Sequence, residues 1–262
     1  MSVMRVSLQP AFVLHHRPYR DTSALLEIFT LEFGRVGLVA RGLRSAKSSL
    51  QGTVQPFRPL LVSWSGRGEL GTLTGCEADG GLIRLRGSRV VSGFYLNELL
   101  LRLLQRHDPH PVLFGYYAQT LQALHQPEGS AGDEAPEVIE QRALRIFEKH
   151  LLREIGYALM LEHEVDGGAP IDPAGGYHYH LERGPVKCTE DTAGIRVQGA
   201  SLLALQHETL HDAQSLRESK HLMRAALGLY LGGRPLRSRE LYSDFQKTMP
   251  PAQRQPVLEN AT

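Results

Sequence analysis

Five short runs of β-forming residues are crowded into roughly the first eighty positions: Ala11 to Leu14, Leu25 to Thr30, Arg35 to Arg41, Leu60 to Trp64 and Gly71 to Thr74. So many short strands cannot each find a broad helical layer, and the simplest way to bury their apolar faces is to close on themselves as a small barrel. Leu31-Glu32-Phe33-Gly34 has the length of a hairpin connection, and Gly34 can supply the positive φ that such turns need. The second and third runs are therefore expected to lie side by side, antiparallel.

In the third run, Val36, Leu38 and Ala40 alternate with Arg35, Gly37, Val39 and Arg41. Strand side chains point to opposite faces in turn, so one face reads as core and the other as cationic. Arg44 and Lys47 continue the charge into a loop of small residues, Ser45, Ala46, Ser48 and Ser49, that leaves room for a phosphate backbone. Net charge is only +1, but its distribution is uneven: Met1 to Arg86 holds eleven of the 29 Lys/Arg and six of the 28 Asp/Glu (+5), leaving 18 against 22 (−4) for the rest. A basic first third suits contact with a polyanion, and a five-stranded barrel with a charged face and a basic loop is how oligonucleotide-binding barrels hold single strands. Arg35, Arg41, Arg44 and Lys47 are the expected phosphate contacts, with Arg17 and Arg20 flanking them. Tyr19, Phe33 and Phe57 are candidates for stacking on bases or for core packing.

Beyond Arg86 the apolar period changes to that of helices. Ser92 is a possible N-cap for a helix with Leu96, Leu99, Leu100, Leu103 and Leu104 on one side, stopped by Asp108-Pro109-His110-Pro111. Further helices are expected from about Val112 to Leu124, from about Glu137 to Ile155 with Gly156 as its cap, near Leu202, from Leu216 to Leu231, and over Pro235 to Leu241. Gln126 to Pro136 reads as a polar loop, and Asp166 to Arg183, with its Tyr177-His178-Tyr179-His180 alternation, as irregular chain with a short hairpin. The expected fold is α+β: a five-stranded OB-fold β-barrel over residues 1–86, then an α-helical domain over 87–248 with a short irregular or β insertion near 164–198, and a loose tail over 249–262.

Composition with 42% apolar and 22% charged residues excludes a disordered chain. No apolar run long enough for a membrane span or a secretion signal occurs, so a soluble cytoplasmic protein is expected. Its two cysteines, Cys76 and Cys188, make no metal-type pair and fit a reducing compartment.

His207-Glu208-Thr209-Leu210-His211 matches H-E-x-x-H, the pattern that on a helix sets two zinc-binding histidines one turn apart beside a general base. Twelve histidines make a chance match easy, and the alternative is two surface histidines on an amphipathic helix. Gly66-Arg67-Gly68-Glu69-Leu70-Gly71 matches G-x-G-x-x-G but opens a strand where a dinucleotide site needs a helix, so it reads as a hairpin turn. His163, His178, His180 and Cys188 share one stretch without the paired spacing of structural zinc, and His150 reads as a core histidine. No cofactor and no bound metal are expected.

Three blocks together resemble the RecO family of bacterial DNA repair proteins: Ala11-Phe12-Val13-Leu14 with Arg17-Pro18 and Thr22-Ser23; Gly34-Arg35-Val36 through Val39-Ala40-Arg41-Gly42 to Gln55-Pro56-Phe57; and Tyr230-Leu231-Gly232-Gly233-Arg234-Pro235-Leu236-Arg237-Ser238-Arg239-Glu240-Leu241. The resemblance implies a recombination mediator without enzymatic turnover, located at the nucleoid. Such a protein binds single- and double-stranded DNA, anneals strands coated with single-strand binding protein, and works with RecR to load RecA. Many members carry a four-cysteine zinc motif; only Cys188 lies in the corresponding region here, which implies a zinc-free form. The resemblance also matches Arg145 and Arg217 to positions that hold the acidic C-terminal tail of single-strand binding protein, where a guanidinium can grip a terminal carboxylate beside an apolar pocket. The other classes open to the sequence are a zinc metallohydrolase using His207, Glu208 and His211, and a protein-protein adaptor that does not bind DNA.

Overall fold

The computed structural model of the chain describes residues 4–66, 68–125, 134–188 and 194–248. Most of the expected loop at 126–136, the tail at 249–262 and Arg67 of the glycine-rich turn lie outside these residues.

Strands β1 (Met4–Tyr19), β2 (Ser23–Thr30), β3 (Gly34–Ala40), β4 (Leu60–Gly66) and β5 (Leu70–Ala78) close into a barrel in the order β1-β2-β3-β5-β4. Neighbours run antiparallel except β3 and β5, which pair in parallel and seal the wall. This is the OB-fold, and closure leaves no open edge. The sixteen-residue β1 pairs with both β2 and β4, bending at irregularities after Val6 and after Val13. The interior is filled as the alternation predicts: Val13, Ile28 and Val36 form one inward row, and Leu26, Leu38, Val62 and Trp64 pack beside it. Gly66 opposes Gly71 across the β4–β5 turn, where a Cβ on Gly66 would lie 2.8 Å from the Gly71 Cα, so that glycine motif serves a hairpin.

Helices α1 (Ser88–Leu103), α2 (Pro111–Leu124), α3 (Pro136–Glu154), α4 (Gly199–Gln206), α5 (Ala213–Tyr230) and α6 (Arg237–Thr248) surround a second core. The first begins four residues before the expected cap: Ser92 lies inside α1, where its hydroxyl donates to Glu140 at 2.5 Å on α3. Between α3 and α4 the expected irregular stretch contains a three-stranded sheet of β6 (Gly176–His180), β7 (Gly184–Lys187) and β8 (Ile195–Gln198), ordered β7-β6-β8. Alternation along β6 buries Tyr177 and Tyr179 in the helical core, and their hydroxyls accept the backbone N–H groups of Asp172 and Met160.

The two cores share a wall. Phe12, Phe29 and Arg35 stand in register on the outer side of β1, β2 and β3, and both phenylalanines pack into the helical core against Phe114 and Tyr117. Asn97 of α1 donates to the Leu14 carbonyl at 2.9 Å and accepts the Tyr117 hydroxyl at 2.5 Å. The β2–β3 turn fits against the α1–α2 connection so closely that a Cβ on Gly34, whose φ is +61°, would stand 1.9 Å from the Asp108 carbonyl oxygen. Only glycine serves there, for both its φ and its size. Among the described residues no helix is long and apolar enough to cross a membrane.

Candidate nucleic-acid interface and peptide pocket

At the barrel end away from the helices, the β1–β2 turn meets the long connection after β3. The Arg44 N–H donates to the Thr22 carbonyl at 2.8 Å, and the Arg44 guanidinium reaches the Arg20 carbonyl at 3.2 Å. Leu43 and Val54 anchor the connection in the barrel core, and bonds from Ser45 to Gly42 and from Ser48 to Ser45 fold it into successive turns. The loop is thus a structured platform. Arg17, Arg20, Arg41, Arg44 and Lys47 are all exposed on it or beside it, and none forms an ion pair with a carboxylate among the described residues. Register explains part of the grouping: Arg17, Leu25, Val39 and Thr72 stand in one outward row, and Arg41 is the first residue beyond the end of β3. The Arg20 guanidinium lies 5.1 Å from the centre of the Tyr19 ring.

Arg35 does not join this group. Being opposite Phe29, it faces the helices, where its guanidinium donates to the Leu101 carbonyl while its own carbonyl accepts the His107 N–H at 3.0 Å. Burial lowers its pKa; nearby Glu27 opposes that fall and Arg106 adds to it. The face that sequence alternation assigns wholly to phosphate is therefore divided: Arg35 belongs to the seam between barrel and helices, Arg41 to the open end. Arg106, just beyond α1, pairs with Glu27 above Gly37 and covers the middle of the β2–β3 face. Of the three stacking candidates, Phe57 is buried against Phe94 with ring centres 5.1 Å apart, and Phe33 meets Trp64 edge-on at 5.3 Å. Tyr19 alone of the three stands with the cations.

A second site lies among α1, α3, α5 and α6, a pocket of about 220 Å³ lined by Val91, Tyr95, Leu144, Arg145, Lys220 and Arg239 among others. Arg145 is buried at its floor and paired with Glu148 at 2.5 Å, while the Tyr95 hydroxyl donates to the same Glu148 oxygen at 2.6 Å. The Arg145 Nε is buried with no partner among the described residues. Lys220 and Arg239 keep contact with solvent, but partial desolvation at the pocket wall, then the nearby Arg145, push the Lys220 ammonium down from the usual lysine value, and partial desolvation followed by Arg224 does the same to Arg239. Arg217 is exposed on α5 and is not part of the lining; it lies three residues before Lys220, on the same helical face. Sequence reasoning missed Lys220 and Arg239, although Arg217, Lys220 and Arg224 recur at the i, i+3, i+7 spacing of one cationic stripe.

The H-E-x-x-H match is not helical. α4 ends at Gln206, His207 is its C-cap, and Glu208 has a φ of +63°. Glu208 accepts from Lys149 at 2.7 Å and pairs with His150 Nε2 at 2.6 Å, fastening the end of α4 to α3. Burial would raise its pKa, but the hydrogen bonds from Lys149 and His150 outweigh this and lower it. His211 instead meets Glu134 and Arg142. Glu208 and His211 have separate structural partners and His207 is exposed at the end of α4, which removes the zinc-hydrolase geometry; the two histidines are surface residues, as the alternative reading has it, but on a turn and not on one helix. His178 and His180 share one face of β6, with Cys188 opposite Gly176 on that face and His163 in a separate bridge to Pro170. Among the described residues no three His, Cys, Asp or Glu side chains gather to hold a metal ion.

Comparison with known proteins adds an independent line. A family profile described as "Recombination protein O N terminal" matches residues 4–80, and one described as "Recombination protein O C terminal" matches residues 84–240. The chain is 47% identical over 245 residues to a protein of Nitrosococcus oceani named DNA repair protein RecO, covering 93% of this chain and 96% of that one. Proteins of the same name from Alkalilimnicola ehrlichii and Aromatoleum aromaticum are 47% and 45% identical, covering 95% and 93% of this chain and 95% and 98% of their own lengths.

Proposed function

The chain belongs to the RecO family of DNA repair proteins, and from that premise we propose that it is a recombination mediator that anneals DNA strands without enzymatic turnover. A role in DNA repair and recombination follows from the family; the finer steps rest on the chemistry of the two sites. The observation that carries the proposal is the group of five exposed cations, Arg17, Arg20, Arg41, Arg44 and Lys47, none with a carboxylate partner among the described residues, at the open end of an OB barrel. Cations in that setting hold phosphates, not base edges, and so accept single or double strands of any sequence. Tyr19 adds a ring on which an unpaired base can stack.

We assign the pocket to the acidic C-terminal tail of single-strand binding protein. Arg145, Lys220 and Arg239 outnumber the lining carboxylates Glu137 and Glu140 and stand beside apolar walls from Val91 and Leu144, which suits a terminal carboxylate held at the cationic side next to a buried side chain. Arg217, further along the α5 stripe, would meet acidic residues upstream in the tail. With the coating protein held on the helical part and DNA on the barrel, bared strands meet at the cationic end; RecR and then RecA are the partners that follow, in the cytoplasm at the nucleoid.

The test is fluorescence-monitored annealing of complementary strands coated with single-strand binding protein, with and without ATP. Acceleration independent of ATP is expected. An unchanged annealing rate would overturn the proposal.

A further inference from the structure

Helix α6 carries a defect in its own sequence. The residue before it, Leu236, has no side-chain acceptor for the first N–H groups, and Arg237 and Arg239 put two cations, against the single carboxylate of Glu240, in the first turn at the end of the helix that is already positive. Both problems are answered from another helix. Glu98 of α1 accepts the Arg237 N–H at 3.0 Å through one oxygen, and the Ser238 N–H and hydroxyl, each at 2.9 Å, through the other. Arg102, one turn along α1 and 2.7 Å from Glu98, donates to the carbonyls of Arg234 at 2.9 Å and Pro235 at 2.7 Å, fixing the chain that leads in. Leu236 is buried in the helical core beneath this clamp.

The docked α6 supplies Ser238, Arg239 and Tyr242 to the pocket wall, whereas Glu98 and Arg102 do not line the pocket. We infer that Glu98 is a positioning residue for the pocket: by capping α6 from α1 it completes the wall, and so sets the affinity for an acidic peptide it never touches. The inference rests on the reading of the pocket as an acidic-tail site. It makes a prediction opposite in sign to simple electrostatics. Removing a negative charge near the pocket should by Coulomb's law strengthen binding of an acidic peptide; if Glu98 acts by holding α6, removing it weakens binding.

The experiment uses the full chain and a fluorescein-labelled acidic peptide ending in Asp-Phe, titrated by anisotropy against the natural protein, Glu98→Gln and Glu98→Lys, with amide hydrogen exchange on the same samples. The expected result is binding about ten-fold weaker in Glu98→Lys and intermediate in Glu98→Gln, the size of a lost helix cap. Exchange at Arg237 and Ser238 should quicken while barrel amides and single-strand DNA affinity stay unchanged. Peptide binding should in turn slow exchange at these two amides in the natural protein, since coupling between two sites is reciprocal. Equal or tighter peptide binding in Glu98→Lys, or unquickened exchange at α6, overturns the inference while leaving the tail site in place. No binding to the natural protein overturns the tail site and the inference with it.

Discussion

Replacing Arg41, Arg44 and Lys47 together by alanine separates the two halves of the cationic strand. Each cation that neutralises a phosphate releases condensed counterions, contributing about 0.7 to the slope of log affinity against log salt for a single strand. Three lost contacts therefore lower the slope by about 2. At 0.1 M salt this weakens binding by roughly 100-fold, or about 3 kcal/mol, an effect that fades towards 1 M. The fold should survive, since the three side chains are exposed and the buried anchors Leu43 and Val54 remain. The assay is anisotropy titration of a labelled oligothymidine across a salt series. Arg35→Ala provides the contrast: its guanidinium is engaged with the Leu101 carbonyl, so this change should lower the melting temperature and leave the salt slope alone. A triple variant with the slope of the natural protein would refute the phosphate assignment, and a reduced slope in Arg35→Ala would refute its place in the seam.

Gly34→Ala should cost about 2–4 kcal/mol in urea unfolding, combining a non-glycine positive φ with displacement of Asp108 and loss of the neighbouring His107 to Arg35 hydrogen bond. Lys220→Ala should weaken acidic-peptide binding about ten-fold, whereas Arg217→Ala, outside the lining, should produce a smaller loss that disappears in high salt; equal losses in calorimetric titrations would move the site along α5. For Glu98, burial works to raise the pKa, but hydrogen bonds from Ser238 and Arg237 and the charge of Arg102 outweigh it and hold the carboxyl below its ordinary 4.5. A depressed carboxylate stabilises the fold fully above the unfolded value and loses that contribution as pH falls through the folded one. The difference in melting temperature between the natural protein and Glu98→Gln should thus be present at pH 7 and shrink as the pH drops below about 4.5; a constant difference down to pH 3 would contradict it. Washing with a chelator, or His207→Ala, should leave annealing unchanged, because Glu208 is already held by Lys149 and His150.

The barrel was readable because period-two alternation in Val36, Leu38 and Ala40 is a local property, and the strands that carry it are joined by short turns. Alternation gives the side a residue faces and says nothing of what covers that side. Arg35 was misplaced for that reason, although Phe12 and Phe29, both outward in register with it, were a signal that the row is buried. The H-E-x-x-H match failed on a similar point, since a motif's spacing has meaning only on the backbone it presumes, and the positive φ at Glu208 ends that. The sheet around Tyr177 and Tyr179 was half visible: the alternation along β6 shows, but β8 is four residues long and finds its partner across an intervening strand. Arg145 was placed by family likeness alone. Its companions Lys220 and Arg239 come from helices far apart in the chain, and no pattern within one segment brings those together.

The wall shared by the two cores bears on how the protein can be cut. A fragment ending near residue 86 would contain every barrel strand and an intact interior, yet it would expose Phe12, Leu14, Phe29 and Phe57 to water as one sticky face. The helical fragment would lose the aromatic rings that fill the space beside Phe114 and Tyr117. Each piece would bare an apolar face that the other now covers, so the wall binds the stability of the two halves together and favours their folding as one unit.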